Sequence, residues 1–191
     1  MQFTGTLLDA LAFAVDKHRH HRRKDRRLSP YVHHLIDVVH LLYQTGEVRE
    51  ESLLVAAILH DTLEDTNTQP EEIQAQFGEQ VLSYVQEVTD NKSLPQQARK
   101  RLQVLTAGAK SEGARLIQLA DKAANLQDLA QRPPAGWGKE RRHAYALWAK
   151  DVIAGIRGTN AELEQEFDAR VAAVLSQRQD DTSRFVPQPT V

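Results

Sequence analysis

Apolar residues recur at three- and four-residue steps along most of the chain, the spacing of helices that bury one face. Leu7, Leu8, Leu11, Ala12, Ala14 and Val15 mark the first stripe. Residues 31–43 repeat it through Val32, Leu35, Ile36, Val38, Val39, Leu41 and Leu42. Ser29-Pro30 just upstream reads as a cap and first-turn signal. Residues 52–63 (SLLVAAILHDTL) are apolar nearly all round, which predicts a central buried helix. Residues 70–77 predict a short helix stopped at Gly78, and residues 79–88 another. Pro95 suits the first turn of a helix over 95–107. Residues 113–129 (GARLIQLADKAANLQDL) form a strongly amphipathic segment. After the breakers Pro133, Pro134, Gly136 and Gly138, segments 139–156 and 161–177 complete the set. Nothing alternates with a period of two, so the pattern predicts an all-α fold, an irregular single-domain helical bundle over residues 1–178. Residues 179–191 (QDDTSRFVPQPTV) are polar and without periodicity, and read as a flexible C-terminal tail.

Composition narrows the chemistry. The 191 residues include no cysteine, which excludes disulfides, thiolate zinc sites and a cysteine nucleophile. The N-terminal stretch places apolar residues before its positive charge, the reverse of a secretory leader. No apolar run approaches the ~20 residues of a membrane span. The expectation is a cytoplasmic protein with no membrane partner. Net charge is −2, unevenly spread: residues 17–27 (KHRHHRRKDRR) hold seven Lys/Arg and one Asp, whereas the remainder carries 17 basic and 25 acidic groups. Such a run is either a solvated loop or an anion site for phosphates, nucleic acid or an acidic surface.

The end of the greasiest segment carries the candidate chemistry. His60-Asp61 and Glu64-Asp65 follow an apolar run, and groups of that kind near a core need a partner or a metal. On a continuing helix His60 and Glu64 share one side, and Asp61 and Asp65 share another. Two adjacent ligands cannot complete a coordination shell, so others must come from elsewhere. His34, within YVHHLIDVV, and Asp121, within QLADKAANL, are the candidates. Two imidazoles and two carboxylates suit a mid-series divalent ion, with Mn²⁺ favoured and Fe²⁺, Co²⁺ or Mg²⁺ as alternatives. Such an ion would lower the pKa of a water and polarise a phosphoryl oxygen. Glu64 and Asp65 are placed to relay protons to and from that water. Each residue alone has an ordinary structural reading: His34 as a core histidine, Asp121 as an ion-pair partner of Lys122 or Arg115. Their conjunction points to a metal site.

The order His34, His60-Asp61, Asp121 resembles the HD superfamily of metal-dependent phosphohydrolases. The stretches KHRHHRRKDRRLSPYVHH, AAILHDTLEDTNT, VQEVTDNKSLP, RLIQLADKAANLQDL and PPAGWGKERRHAYALWA resemble more closely the HD-domain hydrolase of the RelA/SpoT-homologue family. They are especially similar to its small stand-alone alarmone hydrolases, the metazoan SpoT homologue among them. The resemblance runs from about residue 7 to about residue 157. It implies an HD-type bundle and an Mn²⁺ cofactor held by His34, His60, Asp61 and Asp121. It implies water activation by Glu64 and Asp65, and hydrolysis of (p)ppGpp to GDP or GTP plus pyrophosphate. It also implies that Arg23, Lys24, Asn125 and Lys92 contact the nucleotide. The basic run would draw in so anionic a substrate, and Arg23 could stack on a purine. The chain has no room for a synthetase domain, so the reading is of degradation alone.

This chain departs from the pattern in places. His33-His34-Leu35 stands where Asn-His-Pro is expected, so His33 could compete for the metal. Arg26-Arg27-Leu28 replaces a small polar turn, and Leu126-Gln127-Asp128 follows Asn125. Tyr31 is placed either in the core or against the nucleotide. These departures bear on substrate preference. The alternatives are a hydrolase of an adenine alarmone or of NADPH, and a non-catalytic HD protein that senses nucleotide. Nucleic-acid binding through residues 17–27 is disfavoured by the acidic remainder. The oligomeric state, monomer or homodimer, is left open.

Overall fold

A computed structural model describes residues 3–177, and the predicted tail at 179–191 lies outside them. The described residues form ten α-helices: α1 (Phe3–Lys17), α2 (Val32–Gln44), α3 (Glu51–Leu59), α4 (Thr62–Asp65), α5 (Pro70–Phe77), α6 (Glu79–Val88), α7 (Gln96–Thr106), α8 (Glu112–Gln131), α9 (Lys139–Ala154) and α10 (Ala161–Leu175). A 3-10 turn at Ala107–Ala109 precedes α8. Among these residues there is no strand, only two isolated bridges, Arg22 with Pro30 and Asp25 with Pro134. No helix is long and apolar enough to cross a membrane. The all-helical expectation is borne out.

Two helices organise the core. Every residue from Leu53 to Leu59 of α3 is buried, as its all-round apolar sequence requires, and α1, α2, α6 and α8 pack around it. The long α8 lies against α2, α6 and α10, burying Ile117, Leu119, Ala120, Ala123 and Leu126. Local chemistry sets the ends. Ser111 caps α8 by accepting from the Ala114 N–H, and Asn160 caps α10 by accepting from the Leu163 N–H at 2.9 Å. Pro70 opens α5, where Glu72 reaches back to the Gln69 N–H at 2.8 Å. Gly113 is required by close approach: a Cβ there would collide with the Tyr84 ring and sit 2.6 Å from Leu53.

Two expectations about helix boundaries need correction. The central helix does not run on through 63. It ends at Leu59, His60 and Asp61 form a joint, and α4 restarts at Thr62. The Thr62 hydroxyl donates to the Leu59 carbonyl at 2.6 Å, so side-chain bonding competes with the helical ladder at the joint. Ser29 is not the cap of α2, which begins at Val32 after Tyr31. Ser29 instead donates twice to Asp25, from its hydroxyl at 2.7 Å and its N–H at 2.9 Å. That closes the basic loop, in which Leu28 takes a left-handed φ of 49°. The position favours a small or polar residue, and Leu28 meets it with an exposed side chain.

Candidate metal centre and adjoining cavity

Three helical elements deliver the predicted ligands to one point. His34 projects from the buried side of α2, His60 and Asp61 sit at the α3–α4 joint, and Asp121 lies in the middle of α8. His34 Nε2 is 3.2 Å from Asp121 Oδ1 and 3.6 Å from Asp61 Oδ2. His60 Nε2 is 3.1 Å from Asp61 Oδ2 and 3.8 Å from Asp121 Oδ1. One ligand atom each from His34, His60 and Asp121 falls within 4.8 Å of the others. Asp61 flanks this triplet and is steadied by the Tyr31 hydroxyl, which donates to its Oδ2 at 2.6 Å. His33 is exposed and takes no part.

The donor set suits a divalent cation. His60 Nδ1 meets the Ala57 carbonyl at 2.8 Å, a bond that puts the proton on Nδ1 and turns the Nε2 lone pair to the cluster. His60 Nε2 is buried without a hydrogen-bond partner. A buried orphan nitrogen among carboxylates is satisfied by a metal ion, and the oxygen and imidazole donors match one. Electrostatics agree. Burial disfavours the charged His60 imidazole, but the carboxylates of Asp61, 3.1 Å away, and Asp121 outweigh burial and push its pKa up to about 9. Burial likewise opposes ionised Asp61 and Asp121, yet His60 and His34 around the first and Lys122 and His34 around the second hold both below the usual carboxylate range. Concentrated negative charge facing imidazoles is what a cation replaces a proton in.

Glu64 and Asp65, on α4, line the same cavity of about 330 Å³. Burial, reinforced by Asp90, Asp61 and Asp65, pushes the Glu64 carboxyl up to about 7, against the Asp90 N–H that it accepts. Arg99 lies 3.3 Å from Glu64 Oε1. Lys92 is paired with Asp65 at the surface and is not among the residues lining either of the two cavities. Its expected phosphate contact therefore has a competing carboxylate in this structure.

A second cavity of about 250 Å³ opens beside the first and shares Lys24, Tyr31, Asp65, Asn125 and Tyr145 with it. Arg22, Arg23, Trp137 and Arg132 also line it. Arg23 is not a freely solvated member of the basic run. It donates to Asp128 at 2.6 and 2.9 Å and to Asn125 Oδ1 at 2.9 Å, with its guanidinium 5.5 Å from the Tyr31 ring centre. Asn125 in turn donates to Asp121 Oδ1 at 2.6 Å, which links the two cavities. Tyr31 packs against the core, stacking on His18 at 4.9 Å, and also lines both cavities.

Residue types alone did not single out Gln118, Trp137 or Tyr145, and named Lys122 only as an ion-pair partner of Asp121. Lys122 is buried against Asp121 at 2.9 Å, and Gln118 lines the metal cavity one turn earlier. The available signal was helical spacing: Gln118, Asp121, Lys122 and Asn125 follow the three- and four-residue steps of one α8 face. Trp137 and Tyr145 come from a loop and from α9, where no spacing ties them to the ligands.

With this geometry in place, the class is defined: the chain belongs to the HD-domain family, whose model matches residues 10–159. Its place there is with the MESH1 group. It is 46% identical over 162 residues to guanosine-3′,5′-bis(diphosphate) 3′-pyrophosphohydrolase MESH1 of Xenopus tropicalis, covering 85% of this chain and 90% of that one. It is 47% identical over 165 residues to the Drosophila melanogaster protein of the same name, covering 86% and 92%. A solved structure described as a metazoan ortholog of SpoT that hydrolyses ppGpp superposes with a TM-score of 0.85 at 45% identity, covering 88% of this chain and 95% of that one.

Proposed function

We propose that the chain is a manganese-dependent (p)ppGpp 3′-pyrophosphohydrolase, leaving GDP or GTP and pyrophosphate, and that residues 1–178 form this single hydrolase domain acting in the cytoplasm. The observation that carries the reading is a juxtaposition: a cavity holding the His34, His60 and Asp121 cluster shares a wall of five residues with one lined by Arg23, Trp137 and Tyr145. A nucleotide bearing a 3′-diphosphate has the two halves such a pair accommodates, a flat base for rings and guanidinium and a dense anion for the metal. The likeness to the Xenopus and Drosophila pyrophosphohydrolases points to the same chemistry.

In this account His34, His60, Asp61 and Asp121 hold the ion, and manganese suits their mixture of nitrogen and oxygen donors. Bound there, a divalent ion supplies a Lewis acid for a phosphoryl oxygen and eases deprotonation of water. Glu64 takes the proton of the attacking water: its carboxyl, raised to about 7, exchanges protons readily near neutrality. Asp65 shares the cavity wall and orients that water. Arg23 stacks on the base, Asn125 bridges the sugar side to Asp121, and Lys24 at the junction of the cavities faces phosphate. Lys92 would have to leave Asp65 to do the same.

The test is direct. Metal-stripped protein is incubated with ppGpp, with and without Mn²⁺, and products are resolved by ion-exchange chromatography. GDP and pyrophosphate appearing only with the metal is the expected result. No turnover with metal restored, or release of single phosphates in place of pyrophosphate, overturns the reading.

A further inference from the structure

Gln118 and Lys122 lie one turn apart on α8, on either side of Asp121, and both line the metal cavity. Gln118 is 5% exposed, and its Oε1 is buried without a hydrogen-bond partner among the described residues. Buried amides are ordinarily satisfied, and one that is not is a group whose partner comes from elsewhere. Lys122 is buried as well, with its Nζ 2.9 Å from Asp121 Oδ2 and 5.1 Å from the Trp148 ring centre. An ammonium carries three donors, and Asp121 takes one of Lys122's. Asp121 is thereby divided, Oδ1 toward the imidazoles and Oδ2 toward the ammonium. On α4, by contrast, Glu64 and Asp65 are already matched by Arg99 and Lys92. The α8 wall therefore holds spare donors and an unsatisfied amide beside the metal cluster.

We infer that Gln118 and Lys122 form a phosphate subsite that takes the outer phosphate of a diphosphate held at the metal centre. The inference rests on reading this cavity as a 3′-diphosphate site and names the residues that recognise the part released as pyrophosphate. The oxygen and nitrogen ends of a glutamine amide have nearly the same shape, so rotation about its Cγ–Cδ bond presents N–H groups to a phosphate oxygen. Lys122 adds charge while keeping its hold on Asp121. Together they give the cavity a preference for a two-phosphate anion, whose inner phosphate reaches the metal while the outer one reaches α8.

Calorimetric titration of manganese-loaded protein with pyrophosphate, and separately with GDP, tests this. Gln118→Leu touches no metal ligand and is expected to weaken pyrophosphate binding about tenfold, the loss of one hydrogen bond to a charged group, with manganese uptake and GDP affinity unchanged. Wild-type pyrophosphate affinity in Gln118→Leu overturns the subsite. Lys122→Met is expected to weaken pyrophosphate binding at least as much at saturating metal. Because that variant also disturbs Asp121, a second measurement uses the intact protein: the ¹⁵N resonance of the Lys122 ammonium, with Mg²⁺ as the metal, is expected to move when pyrophosphate is added. An unmoved resonance overturns the role of Lys122. Wild-type protein that binds pyrophosphate through Gln118 but leaves ppGpp intact would remove the proposed substrate and leave the subsite standing.

Discussion

The metal cavity and the aromatic cavity beside it are built on different principles. At the candidate metal end, His34 and His60 are almost wholly buried, on α2 and at the joint that ends α3, so the donor atoms are fixed by the same packing that holds the fold. At the nucleotide end, Arg23 and Lys24 come from a loop, Trp137 from the turn before α9, and Tyr145 from α9. Arg23 is positioned by an ion pair with Asp128 and a ring contact with Tyr31. Rigidity serves the reacting end, where small displacements of catalytic groups are costly. Charge and ring faces build the other end, which in the proposed function must accept and release a nucleotide. Changes at the first end should therefore remove turnover, and changes at the second should alter affinity.

The largest effect is expected for Asp121→Ala: turnover falls below detection together with metal uptake, measured by elemental analysis of the purified variant. A variant that keeps both would take Asp121 out of the ligand set. Metal binding should also compete with a proton. The raised pKa of His60, about 9, means that apparent manganese affinity climbs with pH up to that value and levels above it. Affinity that is flat between pH 6 and 9 would contradict this.

Next comes Glu64→Gln, which should cost about 10²–10⁴-fold in kcat with little change in KM, the usual range for a lost general base. The wild-type rate should rise with pH, reach half its limit near 7 and level off above that, because the active carboxylate form dominates only above the raised pKa. The variant should lack that limb, and a pH profile shared by both proteins would remove Glu64 as the base. At the nucleotide end, Arg23→Ala should raise KM about 10- to 100-fold, the range for charge-assisted hydrogen bonds, with kcat little altered. A pure kcat loss would place Arg23 with the chemistry instead. Smallest is Tyr31→Phe, expected to lower metal affinity about tenfold through the loosened Asp61 carboxylate. Full metal affinity in Tyr31→Phe would show that Asp61 needs no such support.

The same division explains what was legible in the sequence. The helices were, because burial of one face imposes a period, and α3 betrayed its central place by being apolar all round. The cluster of candidate ligands was, because His60, Asp61 and Asp121 interrupt apolar runs where a polar residue needs a reason. The joint at 60–61 was not: residues 52–63 read as continuous helix, and the Thr62 hydroxyl that takes the Leu59 carbonyl at the break is a contact one dimension does not show. Ser29 read as a cap, yet tertiary folding of the basic loop gives it to Asp25. Lys122 could be seen only as a neighbour of Asp121, since burial and the nearby Trp148 ring are properties of the packed bundle. Trp137 and Tyr145 carry no periodic signature, because a cavity assembled from loops and separate helices leaves none in one dimension.

Everything on the catalytic side depends on one cation joining α2, the α3–α4 joint and α8. The most direct test is a crystal grown with manganese and recorded at the metal's absorption edge. The account predicts one strong anomalous peak within bonding distance of His34 Nε2, His60 Nε2 and an oxygen of Asp121, with Asp61 at its side. A map with no peak there, and with the imidazoles still paired to the carboxylates, would contradict it.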